Sequence, residues 1–416
     1  MLCVALAAHF FVLCAPASAQ SDPSIESILH KSMAAQDRIN LRGIQTEIIP
    51  RHDSGFDTIT RRIVRRSDGR SLAICVDTDG RNGTVYQDDG KWTRNFDPFT
   101  RVCSITRSVS RIADGRSAER VVRRILSNYR VRLIGTEMFS GRSCYILALD
   151  PKDPFSHPLD VRIDVATGAT ISRTEYQRRG GSTISLNFFT SISFPRQIAD
   201  SELASKFPPG TRKIQTSLSL PFRSVEPLRR KVGFEICLPN SMPAGFQFES
   251  CEIVRLNDTP TACLRFSDGL AAINIFESRT AEGFTLTPGI IAKTLPRGEA
   301  IAMCQVGRTS CAVMGPRLME GVVMIAKALD TDSARNKMES LSRTFGVPIA
   351  SVIDLRNQGL GLDHIAALLE IRAQTGRTMK TLMVMHQDGW GWDLIAQRLR
   401  VDVHRISDKI RPYQSR

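Results

Sequence analysis

The chain has 416 residues, 42% of them hydrophobic and 24% charged. This composition excludes a chain without a core and leaves room for two or three domains of roughly 150 residues each. The net charge of +14 points to nucleic acid, an anionic membrane surface or an acidic partner, weighed against a simply solvated basic surface.

Residues 1–20 read MLCVALAAHFFVLCAPASAQ. The apolar run Val4–Ala15 is too short to span a bilayer comfortably, and Ala17-Ser18-Ala19 has the small-x-small form of a cleavage site. The segment 1–19 therefore reads as a secretory signal peptide cut before Gln20, although it lacks a basic n-region. Cys14 follows Leu13 rather than a small residue, so no lipoprotein signal is read. No later segment is apolar enough to span a membrane, and the mature protein is expected to be soluble outside the cytoplasm.

Eight cysteines remain after that cut: Cys75, Cys103, Cys144, Cys237, Cys251, Cys263, Cys304 and Cys311. Export permits disulfides. No CxxC or CxxH spacing occurs, which argues against a metal site. Cys304 and Cys311 are symmetric about Gly307-Arg308, which places them opposite each other in a hairpin. Cys251 and Cys263 are symmetric about Asn257. Both pairs are candidate disulfides, with the connectivity left open.

Asp22-Pro23 reads as a helix start, with Ile25, Ile28, Leu29 and Met33 repeating on one face. Strand patterns then run over 43–50, 58–65, 71–76, 84–87 and 91–95, separated by Asp-Gly and Asn-Gly turns. Ser117 is placed to cap a second helix carrying Ala118, Val121, Val122, Ile125 and Leu126. Strands follow over 130–137, 144–149, 159–164, 170–177 and 183–194. Residues 196–230, poor in periodicity and holding Phe207-Pro208-Pro209-Gly210, read as a linker. Beyond it, Thr261–Glu277 reads as a hairpin turning at Ser267-Asp268-Gly269, Gly321–Ala328 as a strand, and Asp330–Leu341 as an amphipathic helix.

Three stretches carry a family resemblance. They are YRVRLIGTEMFSGRSCYILAL with VRIDVATGATISRTEYQ (129–149 and 161–177), Met242-Pro243-Ala244-Gly245-Phe246 leading to strands, and the Ser267-Asp268-Gly269-Leu270 hairpin. In this order the chain resembles, over residues 24–345, the RseB/MucB family of periplasmic regulators of envelope-stress sigma factors. The resemblance implies an α+β fold. Residues 20–195 would be a LolA/LolB-like half-open antiparallel β-barrel with helices, 196–230 a linker, and 231–346 a smaller α+β domain. It also implies a partner, the periplasmic domain of an anti-sigma factor, and a lipid or lipoprotein acyl chain as ligand. Trp92, Phe96, Phe99, Phe139, Phe188, Phe189 and Phe194 are the candidate lining of an apolar groove, weighed against ordinary core. Arg61, Arg62, Arg65 and Arg66 pair along one strand and face either an anionic headgroup or water.

The resemblance stops before residues 347–416, which hold a repeat of period 30. Gly359-Leu-Gly361-Leu362-Asp363-His-Ile365-Ala366 aligns with Gly389-Trp-Gly391-Trp392-Asp393-Leu-Ile395-Ala396. Each unit reads as a helix broken at Gly-x-Gly and restarted under an Asp363 or Asp393 cap, the whole forming an all-α bundle. Gly-x-Gly between helices, without a third glycine, is not a phosphate loop. The second unit, with Arg398, Arg400, His404 and Arg405, resembles a helix-turn-helix, but export opposes DNA binding. No G-x-S-x-G elbow and no H-E-x-x-H is present, and the histidines are scattered. The chain is therefore expected to be no enzyme and to need no cofactor or metal. The weighed alternatives are a lipoprotein or lipid carrier of LolA type and a cell-envelope binding module acting through the C-terminal helices.

Overall fold

A computed structural model describes residues 23–50, 55–78, 82–108, 118–178, 180–256, 259–280, 289–295, 299–316, 318–329 and 332–413. The expected signal peptide, the Ser117 cap and the Asn257 pivot lie outside these residues.

The first helix, α1 (Ile25–Arg38), starts at Ser24, whose side chain accepts from the Ser27 N–H at 3.2 Å. The expected Asp22 cap is thus displaced by two residues. A serine hydroxyl that reaches its own first turn holds that turn more directly than a residue further upstream. Strands β1 (Leu41–Pro50), β2 (Phe56–Arg65), β3 (Ser71–Thr78), β4 (Val85–Asp88), β5 (Trp92–Asp97) and β6 (Val102–Arg107) then meander, each paired antiparallel with the next. After α2 (Ala118–Asn128) come β7 (Tyr129–Phe139), β8 (Arg142–Pro151), β9 (Leu159–Asp164), β10 (Thr170–Tyr176) and β11 (Thr183–Ser193). Strand β11 returns to pair with β1, which joins the two meanders into one sheet.

With β12 (Arg212–Gln215) the sheet has 12 strands in the order β12-β6-β5-β4-β3-β2-β1-β11-β10-β9-β8-β7. It is open, with β12 and β7 as its edges, and is not closed into a barrel. Helices α1 and α2 pack together over one end, where Ile28, Leu29, Val122 and Ile125 bury against Leu147, Leu149, Leu159 and Ile163.

The segment expected as a linker is bound to both sheets. After a single helical turn, α3 (Asp200–Leu203), β12 runs parallel to β6, and Ser217 and Phe222 then bridge to Val254 and Cys251. Periodicity missed it because a four-residue edge strand and two isolated bridges have too little length to show alternation.

Helix α4 (Glu226–Val232) leads to the second sheet. Its strands are β13 (Gln247–Leu256), β14 (Thr259–Ser267), β15 (Ala272–Arg279), β16 (Ile291–Thr294), β17 (Ala300–Val306) and β18 (Thr309–Gly315), ordered β13-β14-β15-β18-β17-β16. One face carries Leu264, Phe266, Ile273, Ile275 and Val313; α4 packs on β13 and β14, and α5 (Met319–Ala328) on β16, β17 and β18. Helix α5 corrects the strand expected over 321–328. Val322, Ile325, Ala326 and Leu329 recur at helical spacing and bury together, so periodicity over two turns overrides the β-branched composition.

The chain ends in helices α6 (Asp332–Phe345), α7 (Ile349–Asn357), α8 (Leu362–Thr375), α9 (Met379–Gln387), α10 (Trp392–Arg398) and α11 (Val403–Ile410). They share a core of their own built on Leu341, Val352, Leu362, Ile365, Leu368, Leu369, Leu382 and Ile395. The N-caps of α8 and α10 are Gly361 and Gly391, not Asp363 and Asp393. The aspartates stand two residues inside each helix, where a carboxylate still meets the positive end of the helix dipole.

Candidate functional site at the junction of the two sheets

Three structural units meet around α2. The first contact is the Ser267–Ala271 hairpin of the second sheet. Asp268 accepts the N–H groups of Leu270 and Ala271 through Oδ1, at 2.9 and 2.7 Å, which closes the turn. Its other oxygen accepts the buried Tyr129 hydroxyl at 2.7 Å. Burial beside the Asp268 carboxylate drives the Tyr129 phenol far above its ordinary range, so it stays protonated and donates. Asn128 Nδ2 donates to the Asp268 and Gly245 carbonyls at 2.8 and 3.1 Å. Leu270 packs into the α1–α2 core.

Arg124, buried on α2, donates to Gln247 Oε1 at 3.0 Å and Glu249 Oε1 at 3.1 Å on β13. Glu249 also accepts from Arg265 at 3.1 Å. Leu318 N–H donates to the Phe155 carbonyl at 3.0 Å on the far side.

The helical repeat occupies the remaining flank. His386 is buried there, stacked on Trp392 with centroids 4.2 Å apart and edge-on to His364 at 5.9 Å. Gln247 Nε2 lies 3.1 Å from His386 Nδ1 and 3.3 Å from the Trp390 carbonyl. Burial first, then the neighbouring His364, holds the His386 imidazole well below its ordinary range and hence neutral. Two cavities flank this ring. One of about 360 Å³ is lined by Arg120, Arg124, Arg223, Glu249 and His364 among others. The other, of about 250 Å³, is lined mainly by Met242, Ala244, Ala367, Trp392, Val403 and Ile406.

The residues expected to line a groove fall into two groups on the first sheet. Phe139, Phe188, Phe189 and Phe194 gather near β1, β8 and β11. Phe139 meets Phe188 edge-on at 6.2 Å, and Phe189 is buried with Leu41, Cys144 and Ile171. Beside Phe189 lies a cavity of about 280 Å³ that Leu41, Ile63, Ala169 and Ile171 also line. Trp92, Phe96 and Phe99 sit on or after β5, separated from β11 by β4, β3, β2 and β1. Phe96 is buried against Phe207 at 5.4 Å, Arg107 covers Trp92 at 4.1 Å, and Phe99 is 69% exposed. The structure therefore does not bring all seven into one groove. In the arginine strip, Arg61 pairs with Glu47 at 2.6 Å and Arg66 with Asp68 and Asp200 at 2.7 and 2.5 Å.

Cys304 and Cys311 are direct cross-strand partners in the β17–β18 hairpin. Cys251 and Cys263 are not: Cys251 stands opposite Leu264 and Glu252 opposite Cys263. The neighbouring positions of a strand point to opposite faces, so the symmetry about Asn257 is off by one residue. All eight described cysteines are thiols. Sequence spacing gave no hint of one further grouping. Glu277, Cys311 and Cys304 form a row across β15, β18 and β17, and Cys237 joins it from the chain before β13, with ligand atoms of Cys237, Glu277 and Cys311 within 4.8 Å.

Residues 46–207 match the MucB/RseB N-terminal domain. The matched segment spans less than half of the chain. It takes in most of the 12-stranded sheet with α2 and ends at Phe207, where the ring packs on Phe96. The fold likeness runs further. The Pseudomonas aeruginosa MucA/MucB complex matches with a TM-score of 0.51 at 18% identity, covering 72% of this chain and 96% of that one. A structure of MucB in complex with MucA(peri) matches with a TM-score of 0.51 at 17% identity, covering 73% and 97%. At this identity the likeness is one of fold, and more than a quarter of this chain lies beyond it. No curated protein matches the chain.

Sequence reasoning singled out the Ser-Asp-Gly-Leu hairpin but assigned it no contact. Its signal was Leu270, an apolar residue directly after a tight turn, where solvent-facing chains are polar. Tyr129, Arg124 and Gln247 carried no such signal, because each acquires its role only from the other unit.

Proposed function

We propose that this chain is a non-enzymatic extracytoplasmic regulator of MucB/RseB type that holds the exported domain of an anti-sigma factor. One observation carries the reading. A MucB/RseB N-terminal domain is followed in the same chain by a second α+β unit, and together they cover nearly the whole of a MucB that is seen bound to MucA. The acidic partner that a net charge of +14 favours is consistent with a peptide held by long-range attraction.

The same reading includes a sensing ligand, a lipid or lipoprotein acyl chain on the open sheet. The supporting feature is the cavity beside Phe189, where Leu41, Ile63, Ala169 and Ile171 form an apolar wall and Gln45, Arg65, Arg173 and Asn187 a polar one that suits a headgroup. A ligand shifts the balance between two arrangements only if it binds one of them better.

The test is crosslinking of the full chain in intact envelopes, followed by identification of captured proteins. A one-pass membrane protein with a cytoplasmic sigma-factor-binding domain is the expected capture. Recovery of acyl ligands alone, with no such protein, would favour the carrier reading and sink this one.

A further inference from the structure

The period-30 repeat lies outside the MucB/RseB domain, and nothing above assigns it a role. Its two Gly-x-Gly turns are bound to different partners. The first turn sits on the second sheet. A Cβ at Gly359 would meet Phe248 Cγ at 2.2 Å, and Leu362 N–H donates to the Asn240 carbonyl at 2.6 Å. The buried Arg356 guanidinium donates to the carbonyls of Leu238, Pro239 and Leu360 at 2.9, 2.7 and 2.9 Å. The second turn sits on α2 of the first unit. A Cβ at Gly389 would meet the Arg120 carbonyl oxygen at 2.6 Å. Gly391 N–H donates to Ser127 Oγ at 3.0 Å, and Arg123 donates to the Asp388 carbonyl at 3.1 Å.

The repetition thus has a physical purpose. Each glycine lets a turn approach a foreign backbone or ring that any side chain would hold off. One shared apolar core, containing Leu362, Ile365, Leu368 and Ile395, ties the two turns together. A rigid body that grips one unit with each end fixes the angle between them. The units also touch directly, through Asp268 on Tyr129, Arg124 on Gln247 and Glu249, and Leu318 on the Phe155 carbonyl, so the brace adds to these contacts rather than replacing them.

We propose that residues 347–413 are an intramolecular cross-brace, whose two Gly-x-Gly turns dock the MucB/RseB domain and the second sheet in one arrangement. Any movement between the units, whatever ligand or partner drives it, then requires the second turn to leave α2. This inference stands apart from the identity of the partner.

Amide hydrogen exchange on the full chain tests it. Gly389→Ala blocks the approach to Arg120. Gly376→Ala serves as the control, since Gly376 also has a positive φ of 67° but nothing within 4 Å of an added Cβ, so it introduces backbone strain without a clash. Gly389→Ala is expected to speed exchange roughly tenfold or more both in residues 118–128 and at Gly269–Ala271. The latter amides report the direct contact far from the mutation. Gly376→Ala is expected to leave both at parental rates. If α2 opens in Gly389→Ala while 269–271 stays protected, the direct contacts hold the units without the repeat, which then braces nothing. If neither region changes, or if Gly376→Ala opens both equally, the turn is not the docking element and the proposal fails. Gly359→Ala repeats the test from the other end, with residues 238–248 as the reporter.

Discussion

Glu277 stands in the middle of the second sheet with no exposed surface. One carboxyl oxygen accepts the Cys237 N–H at 3.0 Å, while Oε1 is buried with no hydrogen-bond partner among the described residues. Removal from water pushes its pKa well above the carboxylate range, and the nearby Cys237 thiol adds to this. A carboxyl that keeps its proton when folded but loses it when unfolded contributes full stability only below the unfolded pKa of about 4.5. That contribution is lost as pH rises toward the folded value. Glu277→Gln keeps the acceptor for Cys237 and removes the ionisation. The variant should therefore equal or exceed the parent by about 1–3 kcal/mol at pH 8, with the difference shrinking at pH 5. Urea denaturation midpoints at the two pH values measure this, and a variant weaker than the parent at pH 8 would refute it.

At the scale of elements, helices α7 to α11 are stable only as a set. Each is 7 to 14 residues long, near or below the length at which an isolated helix holds in water. Helix α8 is buried almost all round, with Leu362, Ile365, Ala366, Leu368, Leu369 and Ile371 inaccessible or nearly so. It is the post against which α7, α9, α10 and α11 pack. Ile365→Ala should cost about 2–5 kcal/mol, and the loss should appear across 349–410 together rather than at α8 alone. Exchange protection mapped by peptide checks this, and an effect confined to 362–375 would contradict the shared core. The repeat itself was readable in the sequence as a spacing of 30 residues. The helix at 319–328 was misread as a strand because Val322 and Val323 favour β structure, and only the burial of Val322, Ile325 and Ala326 on one face settles the matter.

At the scale of the molecule, the junction is expected to respond to pH through His386. His386 is neutral when docked, faced by His364 and Asp363 from the first repeat, Arg120 and Arg124 from α2, Gln247 and Glu249 from β13, and Trp392 from its own repeat. Its folded pKa lies below the ordinary value near 6.5. The docked state therefore keeps its full stability above about pH 6.5 and loses it as pH falls, because the released ring takes up a proton that the docked ring refuses. Thermal unfolding of the parent should drop between pH 7.5 and 5.5 by more than that of His386→Gln. Equal drops would show that this ring is not the sensitive group.

Residue pattern alone specifies the strands that alternate, the turns at Asp-Gly and Asn-Gly, the order of a β-rich domain followed by a smaller one, and the doubled Gly-x-Gly. These are local properties, written within a few residues by periodicity and turn chemistry. What those features touch is set by packing between segments far apart in the chain. Cys304 faces Cys311 because a hairpin keeps its symmetry, whereas Cys251 misses Cys263 by one residue because register is set by pairing along the whole strand. Phe96 and Phe188 are both aromatic strand residues, yet four intervening strands keep them apart. Asp268 meets Tyr129 across 139 residues and Gly391 meets Ser127 across 264. Contacts at such separations follow from how three cores pack, and no local pattern records them.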